Sequence, residues 1–502
     1  MKSRLGENPK ETDVQKLINL GADGVYFMDN LGEAYVEITE KNVRRSLKVN
    51  SKAYKLFLHQ RFYNATGKPV SLEALKQAAY HFESIATFDG KVRKLSRRVA
   101  LAKDGRIVYD LADSQSGAVI IGPNGCRAYK NGPGIFHRTT NTAPQVWPDF
   151  DEEHDLLKLL SKHFRTQLKK DLFLLAVYIV SCFIPEMPHP LLVLAGEKGA
   201  AKSTSMRMIR AIVDPARTDL LSMPNSTDNL GIILSNNYMP GFDNLDHLSP
   251  ERSDLLCMAA TGGSIAKRRL YTDDEEVILQ LKRCVMLNGI NIVVTRSDLL
   301  DRSIVIEFKR IPPSERKDEG EVWDAFRKDL PQILGSCLLL LSKAMAIFPQ
   351  VELAEKPRMA DFAKWGYAIA EAMGKPGQLF LRAYNENQQC ASQEILHNNP
   401  VAAALLKLME DRREWESSPT TLYTALQDVC MRNAIRISGR NWPESPNALT
   451  RRMNNLRSNL EQAGLFFESR KTGDRKIIIT NEHYKPVSSL SLKKRRRGKM
   501  NP

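Results

Sequence analysis

The feature that most constrains the fold is a glycine-containing loop between an apolar run and a helix-forming segment. PLLVLA, at 190–195, is followed by the residues Gly196, Glu197, Lys198, Gly199, Ala200, Ala201, Lys202, Ser203 and Thr204. This loop matches the phosphate-binding pattern GxxxxGKS/T at Gly196, Lys202 and Ser203, with Ala201 in place of the last glycine. Because backbone N–H groups at a helix start can face phosphates, we predict that the loop binds ATP. The alternative is an ordinary Gly/Ala turn with an exposed lysine.

In such a loop, Lys202 would bridge the β- and γ-phosphates and Ser203 would ligate Mg²⁺. A carboxylate suited to the same ion follows about 40 residues later, where Asp243 ends the apolar segment YMPGFD. We therefore predict Asp243 as the second Mg²⁺ ligand; the alternative is that it caps the next helix. The following position, often acidic in hydrolysing ATPases, is Asn244, which leaves the activating carboxylate open. Asp246 is a weaker candidate.

The length of 502 residues predicts about three folding units at roughly 150 residues each. Residues 1–150 combine short alternating runs, a turn at Asp104-Gly105 and one helical segment at 71–86, which indicates an α+β domain. From Asp151 the chain alternates helices and apolar strands, as in a fold with a parallel sheet. The candidate strands lie at 190–195, 219–223, 238–243, 284–287 and 303–308.

The first 150 residues contain no paired Asp-x-Asp with a downstream histidine, so we expect any primase to be a separate chain. The longest apolar run, 172–184, is shorter than the roughly 20 residues that cross a bilayer, and the segment MKSRLGENPKETD has no apolar stretch typical of a secretory signal. We therefore predict a cytoplasmic protein with a buried helix at 172–184 and no membrane partner. The seven cysteines lie 27 or more residues apart, a spacing that disfavours disulfides and structural zinc.

The positive charge is concentrated near the C-terminus. Residues 436–502 hold 16 Lys and Arg against 5 Asp and Glu, which indicates a polyanionic partner, nucleic acid before membrane. Three amphipathic helical segments and then a hairpin with a basic tip predict a winged helix. The predicted DNA contacts are Arg451, Arg452 and Arg457 on the third helix, and Arg470 and Lys471 on the wing. The alternative is a solvated helix in a winged helix that binds protein.

The segment AATGGSIAKRRLYTDDEEVILQLKRCVMLNGI, followed by RSDLLDRSIVIEF, resembles the second half of a superfamily-3 AAA+ helicase. Such helicases occur in phage and mobile-element primase-helicases, and the MCM-type replicative helicases are more distant relatives. The resemblance implies a basic pore hairpin bearing Lys267, Arg268 and Arg269. It also implies that Asn288 is a polar sensor and that Arg302 is a finger acting on the ATP of a neighbouring subunit. Ala201, Asn244 and Ser264, which replaces an acidic residue of the turn, depart from the family pattern.

Without the resemblance, each of these roles has an ordinary alternative. Asn288 precedes a glycine and is equally typical of a turn. Arg302 could pair with Asp298 or Asp301. The basic residues at 267–269 could be a charged strand edge, and those at 91–98 either a DNA-binding collar or a plain charged surface.

The resulting architecture is an α/β AAA+ P-loop ATPase core with an N-terminal α+β domain and a C-terminal winged helix. The predicted boundaries are 1–150 for the N-terminal domain, 151–349 for the ATPase, 350–398 for a helical connector, 399–484 for the winged helix and 485–502 for a basic disordered tail. We expect an ATP- and Mg²⁺-dependent helicase that forms a hexameric ring on single-stranded DNA during replication of a phage, plasmid or integrated element. The alternatives are an ATP-switched initiator that does not unwind DNA and a AAA+ ATPase of a defence system.

Overall fold

The computed structural model describes residues 11–268, 276–289, 294, 296–437, 442–472 and 474–484. The chain divides into two compact units. The first comprises Met1–Asn291 and Ile306–Ala383, and the second comprises Ile292–Val305 and Tyr384–Pro502.

The N-terminal part of the first unit begins with a sheet of order β3-β2-β1-β4. Its elements are α1 (Asp13–Gly21), β1 (Val25–Asp29), β2 (Ala34–Glu40), β3 (Val43–Lys48), α2 (Lys52–Thr66), α3 (Leu72–Phe88) and β4 (Lys91–Arg93). Ser51 and Ser71 cap α2 and α3 through their side chains. Tyr54 and Phe82 are buried in the core between these helices and the sheet. The predicted helix at 71–86 is confirmed.

A second, antiparallel sheet follows, with the order β5-β6-β7-β8. Its strands are β5 (Val99–Leu101), β6 (Ile107–Asp110), β7 (Ala118–Gly122) and β8 (Gly125–Tyr129). The turn between β5 and β6 is the predicted one, because Gly105 has a φ of +80° and Asp104 accepts a hydrogen bond from the Arg106 backbone N–H at 3.1 Å. The α+β character predicted for this region is therefore confirmed.

A further sheet, of order β10-β13-β9-β14, is formed by strands between residues 156 and 372. The elements in chain order are α4 (Leu156–His163), α5 (Lys169–Ser181), β9 (Leu191–Ala195), α6 (Lys202–Val213), α7 (Thr227–Asn236), β10 (Gly241–Leu245), α8 (Pro250–Thr261), β11 (Gly263–Arg268), β12 (Glu276–Leu281), β13 (Met286–Gly289), α9 (Ser297–Leu300), β14 (Ser303–Glu307), α10 (Glu319–Ile347) and α11 (Ala360–Ala372). β13 is parallel to both β10 and β9. All five residues of β9 are buried, as expected for a central strand of a parallel sheet. The protein is thus a mixed α/β protein with a parallel sheet, as predicted.

One predicted strand of this sheet is wrong. The segment 219–223 forms only an isolated parallel bridge, Leu221 to Phe242. The cause lies in the side chain of Arg210, which donates to the backbone oxygens of Thr218 at 3.1 Å and Asp219 at 2.6 Å. Because these carbonyls are bound by a guanidinium, they are not available to extend a ladder.

The predicted apolar helix at 172–184 is α5, which is buried over most of its length. Among the described residues, one helical stretch, Glu319–Gln350, is long and apolar enough to cross a membrane. More than half of its apolar window is buried inside the protein, and a core helix of a soluble protein passes the same test.

The second unit contains helices and a three-stranded sheet of order β15-β17-β16. From α12 (Gly377–Asn398) the elements are α13 (Pro400–Met409), β15 (Glu414–Ser417), α14 (Pro419–Arg432), α15 (Pro446–Asn455), α16 (Arg457–Gln462), β16 (Leu465–Thr472) and β17 (Asp474–Asn481). The predicted order of three helices and a hairpin is confirmed, with two differences. The third helix breaks at Leu456 into α15 and α16, and the short strand β15 was not predicted.

Candidate nucleotide-binding site and nucleic-acid surface

The glycine-containing loop lies at the carboxyl end of β9 and leads directly into α6. Gly196 has a φ of +135°, and a Cβ atom at this position would lie 2.6 Å from the backbone oxygen of Phe308. Gly199 also has a positive φ, +84°. Both positions therefore require glycine, Gly196 for its close approach to the backbone of Phe308 and both for their backbone conformation.

Ala201 adopts the left-handed conformation, with φ +55° and ψ +30°, at the position where the phosphate-binding pattern has its last glycine. Ala201 therefore departs from the pattern in residue type but keeps the left-handed backbone conformation that a glycine would adopt there. An alanine in this region is strained by about 1 kcal/mol, because its Cβ approaches the following carbonyl oxygen. The loop keeps the backbone path of the pattern at a cost in stability.

We expect Ala201→Gly to leave the free energy of unfolding unchanged or to raise it by up to about 1 kcal/mol, since the relieved strain outweighs or matches the added entropy of the unfolded chain. Ala200 provides the matched control: it is 2% exposed and has no positive φ. Ala200→Gly should lower the free energy of unfolding by about 1 kcal/mol. Urea denaturation of the two variants measures both values, and equal destabilisation by both substitutions would contradict this account of the loop.

Lys202, the first residue of α6, is folded back into the loop. Its ammonium donates to the backbone oxygens of Gly196 at 2.6 Å and Glu197 at 3.0 Å, and the residue is 9% exposed. Burial lowers the pKa of Lys202, and the carboxylate of Asp243 acts in the opposite direction. The lysine is therefore buried, whereas the alternative of an ordinary turn expected it to be exposed.

Three other predicted residues converge beside this lysine. The Ser203 hydroxyl donates to Asp243 Oδ1 at 3.0 Å, and Asn288 Nδ2 donates to Ser203 Oγ at 3.2 Å and to the same carboxylate oxygen of Asp243. They come from α6, β10 and β13, and the two strands are adjacent and parallel. Because carboxyl ends of parallel strands meet at one edge of a sheet, this edge gathers a lysine, a hydroxyl, a carboxylate and an amide.

The alternative roles of Asp243 and Asn288 are both wrong. Asp243 lies within β10, and α8 is capped by Ser249, whose hydroxyl accepts from the Arg252 N–H. Asn288 is 3% exposed and lies within β13, not in a turn.

Asn244 has a left-handed backbone, with φ +57°, and an exposed side chain. Its backbone N–H donates to Asp243 Oδ1 at 2.9 Å, so it helps to orient that carboxylate. Asp246 and Glu197 are exposed, and Glu197 lies 3.7 Å from the guanidinium of Arg310. Lys198 is also exposed, and Thr204 is half-buried.

Two arginines beside the loop were missed by sequence reasoning. Besides Arg310, the exposed Arg316 approaches Gly199, since its Nη2 lies 3.4 Å from the position of an added Cβ. Both follow β14, more than a hundred residues after the loop, and no local pattern in the sequence connects them to it.

Arg302 is paired within its own chain, and the partner is Asp298. Its Nη1 donates to the backbone oxygen of Asp298 at 2.6 Å and to the carboxylate of the same residue. The Arg302 side chain is 15% exposed, and its Nε has no hydrogen-bond partner in the described part of the chain. The arginine is thus oriented by one acid and retains a free N–H.

The predicted basic hairpin is present as β11 and β12, which pair antiparallel from Gly263–Leu281 to Arg268–Glu276. Lys267 and Arg268 are the last two residues of β11. They therefore lie at the end of the hairpin that is farther from its connections to α8 and β13. Arg269 and the side chains of Lys267 and Arg268 lie outside the described residues.

In the second unit, Arg451 and Arg452 are exposed on α15, as expected for residues that contact DNA. Arg457 is on α16, where it donates to the Phe467 backbone oxygen at 2.9 Å and lies 4.1 Å from the centre of the Phe467 ring. It therefore has a packing role within the unit. Arg470 is exposed and lies 3.3 Å from Glu468. The side chain of Lys471 and the basic tail at 485–502 lie outside the described residues.

Comparison with known proteins gives two family matches. Residues 155–386 match the actinomycete integrative conjugative element replication protein, and residues 401–491 match the C-terminal domain of the RepA protein of these elements. Together the two matches span more than half of the chain. No curated protein matches the sequence.

Solved structures also match, at 12% sequence identity. The A form apo structure of the NrS-1 C-terminal region is matched over 95% of this chain and 100% of that chain, with a TM-score of 0.38. A second apo structure of that region, at 12% identity, is matched over 94% of this chain and 99% of that chain, with a TM-score of 0.37.

Proposed function

The chain belongs to the replication proteins of actinomycete integrative conjugative elements, and from this premise we propose that it is an ATP-hydrolysing AAA+ helicase of the superfamily-3 type. In this proposal it translocates along single-stranded DNA while the element replicates in the cytoplasm. A defence ATPase is disfavoured by the family, whose members act in replication.

The observation that carries the proposal is the convergence of Lys202, Ser203, Asp243 and Asn288 at one sheet edge. The residues fit a nucleotide with Mg²⁺, because loop N–H groups at the start of α6 and a buried ammonium suit phosphate, whereas the hydroxyl and carboxylate suit a hard cation. ATP would supply the phosphoryl group, and Mg²⁺ would neutralise its negative charge. Lys202 would bind the β- and γ-phosphates, Ser203 and Asp243 would hold the ion, and Asn288 would orient a water.

The hairpin of β11 and β12 supports translocation. It lies between β10 and β13 in the chain, the two strands that supply Asp243 and Asn288, so a change at the nucleotide would reach the hairpin through α8 on one side and through the short connection from β12 to β13 on the other. Lys267, Arg268 and Arg269 would contact the phosphate backbone of the strand in the pore.

We further propose a homo-oligomeric ring, with six subunits as in the resembled family. In such a ring Arg302 of one subunit would act on the nucleotide of the next, while Asp298 keeps its guanidinium oriented. A separate chain would supply priming.

The second unit would bind duplex DNA as a winged helix. Arg451 and Arg452 are exposed on α15, and Arg470 lies on the exposed part of β16. The basic tail at 485–502 would add affinity for phosphate without sequence preference.

Deleting residues 485–502 is expected to flatten the dependence of log affinity on log salt concentration for duplex DNA by several units. Each released counterion contributes about 0.7 to 0.9 to this slope, and the tail holds seven Lys and Arg. Fluorescence anisotropy across a salt series measures the slope. A second variant keeps the full-length tail but has its Lys and Arg replaced by Gln, which separates the effect of charge from that of length. An unchanged slope in both variants would show that the duplex-binding surface lies elsewhere.

A second function is favoured by Asn244, which stands where hydrolysing ATPases commonly carry an acid and whose side chain is exposed. In this alternative the protein is an initiator that uses ATP as an assembly switch and does not unwind DNA. Both functions require ATP binding, so turnover distinguishes them.

The test is ATP hydrolysis measured with and without single-stranded DNA, together with size analysis in a nonhydrolysable ATP analogue. The helicase proposal predicts turnover that rises severalfold with DNA and a ring that assembles with the analogue. Assembly without DNA-stimulated turnover would favour the switch-like initiator.

A further inference from the structure

Three side chains of metal-binding type meet in the core of the first unit, away from the nucleotide site. Cys182 follows α5, His189 precedes β9, and Cys284 precedes β13. Their exposed fractions are 0%, 2% and 0%, and one ligand atom from each lies within 4.8 Å of the others. Residues that are far apart in the sequence therefore lie close together in this core.

The hydrogen bonding of His189 leaves one ring nitrogen ready to bind a metal. Nε2 lies 3.1 Å from the backbone oxygen of Ile184, so it must carry the proton and donate. Nδ1 then presents its lone pair, yet it is buried and has no hydrogen-bond partner in the described chain. The His189 backbone N–H donates to the Ala260 oxygen at 2.9 Å, which holds the residue in place. A carbonyl on one imidazole nitrogen is the usual support for a metal on the other.

Packing alone accounts for the burial of the two thiols but not for the burial of the His189 ring nitrogen. Buried cysteines behave as small apolar residues and need no partner. A buried imidazole nitrogen without a partner is unfavourable, because it has lost water and gained nothing in exchange. The hydroxyl of Tyr178, four residues before Cys182, is also wholly buried and lies beside the Cys182 thiol. An ion bound by the two thiols would also satisfy the buried imidazole nitrogen.

We propose that Cys182, His189 and Cys284 bind a structural zinc ion, with the hydroxyl of Tyr178 available for a fourth position. Zinc binds thiolate sulfur at about 2.3 Å and imidazole nitrogen at about 2.0 Å, which sets ligand atoms about 3.5 to 3.8 Å apart in a tetrahedron. The observed limit of 4.8 Å requires each side chain to move by less than about 1 Å.

The location assigns the ion a structural role. Cys284 and His189 precede the first residues of β13 and β9, so the ion lies at the amino-terminal edge of the sheet. Lys202, Asp243 and Asn288 lie at or beyond the carboxyl ends of the strands. The ion would hold α5, β9 and β13 together below the site without contacting the nucleotide. This inference does not depend on the proposed ATPase activity.

The test uses the full chain, purified from zinc-supplemented culture without chelator, and measures zinc by plasma mass spectrometry. We expect about one zinc per chain, and less than about a tenth of that in the double variant Cys182→Ala, Cys284→Ala. Cys430→Ala is the matched control, since Cys430 is equally buried but lies in the second unit. It should retain the zinc.

Cobalt titration of the chelator-treated parent protein provides a second measurement, which does not depend on the folding of the double variant. Co²⁺ alone should produce a thiolate-to-cobalt charge-transfer band that saturates at about one equivalent and is displaced by Zn²⁺. Chelation should lower the melting temperature of the parent by several degrees. Absence of zinc in the parent together with absence of the cobalt band would overturn the proposal, as would zinc retention by a folded double variant.

Discussion

Lys202→Ala is expected to abolish ATP hydrolysis, by at least about a hundredfold, while the fold remains intact. Within the part of the chain that the structure describes, the ammonium donates to the loop carbonyls of Gly196 and Glu197 alone, so we expect its removal to leave α6 and the sheet unaltered. What is lost is the cation that would bind the β- and γ-phosphates. Phosphate release measures the turnover, and circular dichroism with thermal unfolding reports the fold.

Lys198→Ala provides the matched control. Lys198 belongs to the same loop and carries the same charge, but it is exposed. It should retain turnover within about threefold, because an exposed lysine contributes little beyond a screened charge. Unchanged turnover in a folded Lys202→Ala variant would remove the phosphate-binding assignment altogether.

Arg302→Ala is expected to bind ATP normally but to lose hydrolysis by a factor on the order of 10³ to 10⁵, the range observed for arginine fingers. Its own loop and Lys202 are intact, so nucleotide affinity is preserved. If Arg302 served only to pair with Asp298, the loss would be one of stability, about 0.5 kcal/mol for a partly exposed pair, with turnover retained. Asp298→Asn is the control for that case, because it weakens the same pair and leaves the guanidinium present.

Mixing the two inactive variants tests whether Arg302 acts between subunits. A Lys202→Ala subunit still offers its arginine, and an Arg302→Ala subunit still has an intact loop, so co-assembled variants should recover part of the activity that each lacks alone. If gel filtration shows that the two variants form a mixed oligomer and this oligomer remains inactive, the result would count against an arginine finger that acts on the neighbouring subunit. The same conclusion would follow from hydrolysis by Arg302→Ala at the parental rate.

Much of the nucleotide site could be predicted from sequence because its residues follow apolar runs. Lys202, Asp243 and Asn288 each lie near the carboxyl end of a strand that is recognisable by its buried, apolar residues. Because the strands of the sheet are parallel, their carboxyl ends lie at the same edge of the sheet. The turn at Asp104-Gly105 was predictable for a local reason, since the glycine supplies the positive φ that a tight turn needs.

The features that were missed depend on contacts between distant parts of the chain. Residues 219–223 have the composition of a strand, but Arg210 binds the carbonyls beside them. β15 is four residues long and half charged, so only its pairing with β17 makes it a strand. The spacing of the cysteines likewise does not reveal that packing brings Cys182 and Cys284 together with His189, because the two cysteines lie about a hundred residues apart.

Strand displacement tests the central claim, that ATP drives the protein along single-stranded DNA, most directly. A labelled oligonucleotide annealed to a longer strand with a single-stranded extension is incubated with protein, Mg²⁺ and ATP, and its release is followed over time. The parent protein is predicted to release the oligonucleotide with ATP but not with a nonhydrolysable analogue, and Lys202→Ala is predicted to release none. The helicase proposal would be contradicted if the protein bound and assembled on this DNA, whether it hydrolysed ATP or only bound it, but released no oligonucleotide. This result would have to hold for single-stranded extensions of either polarity.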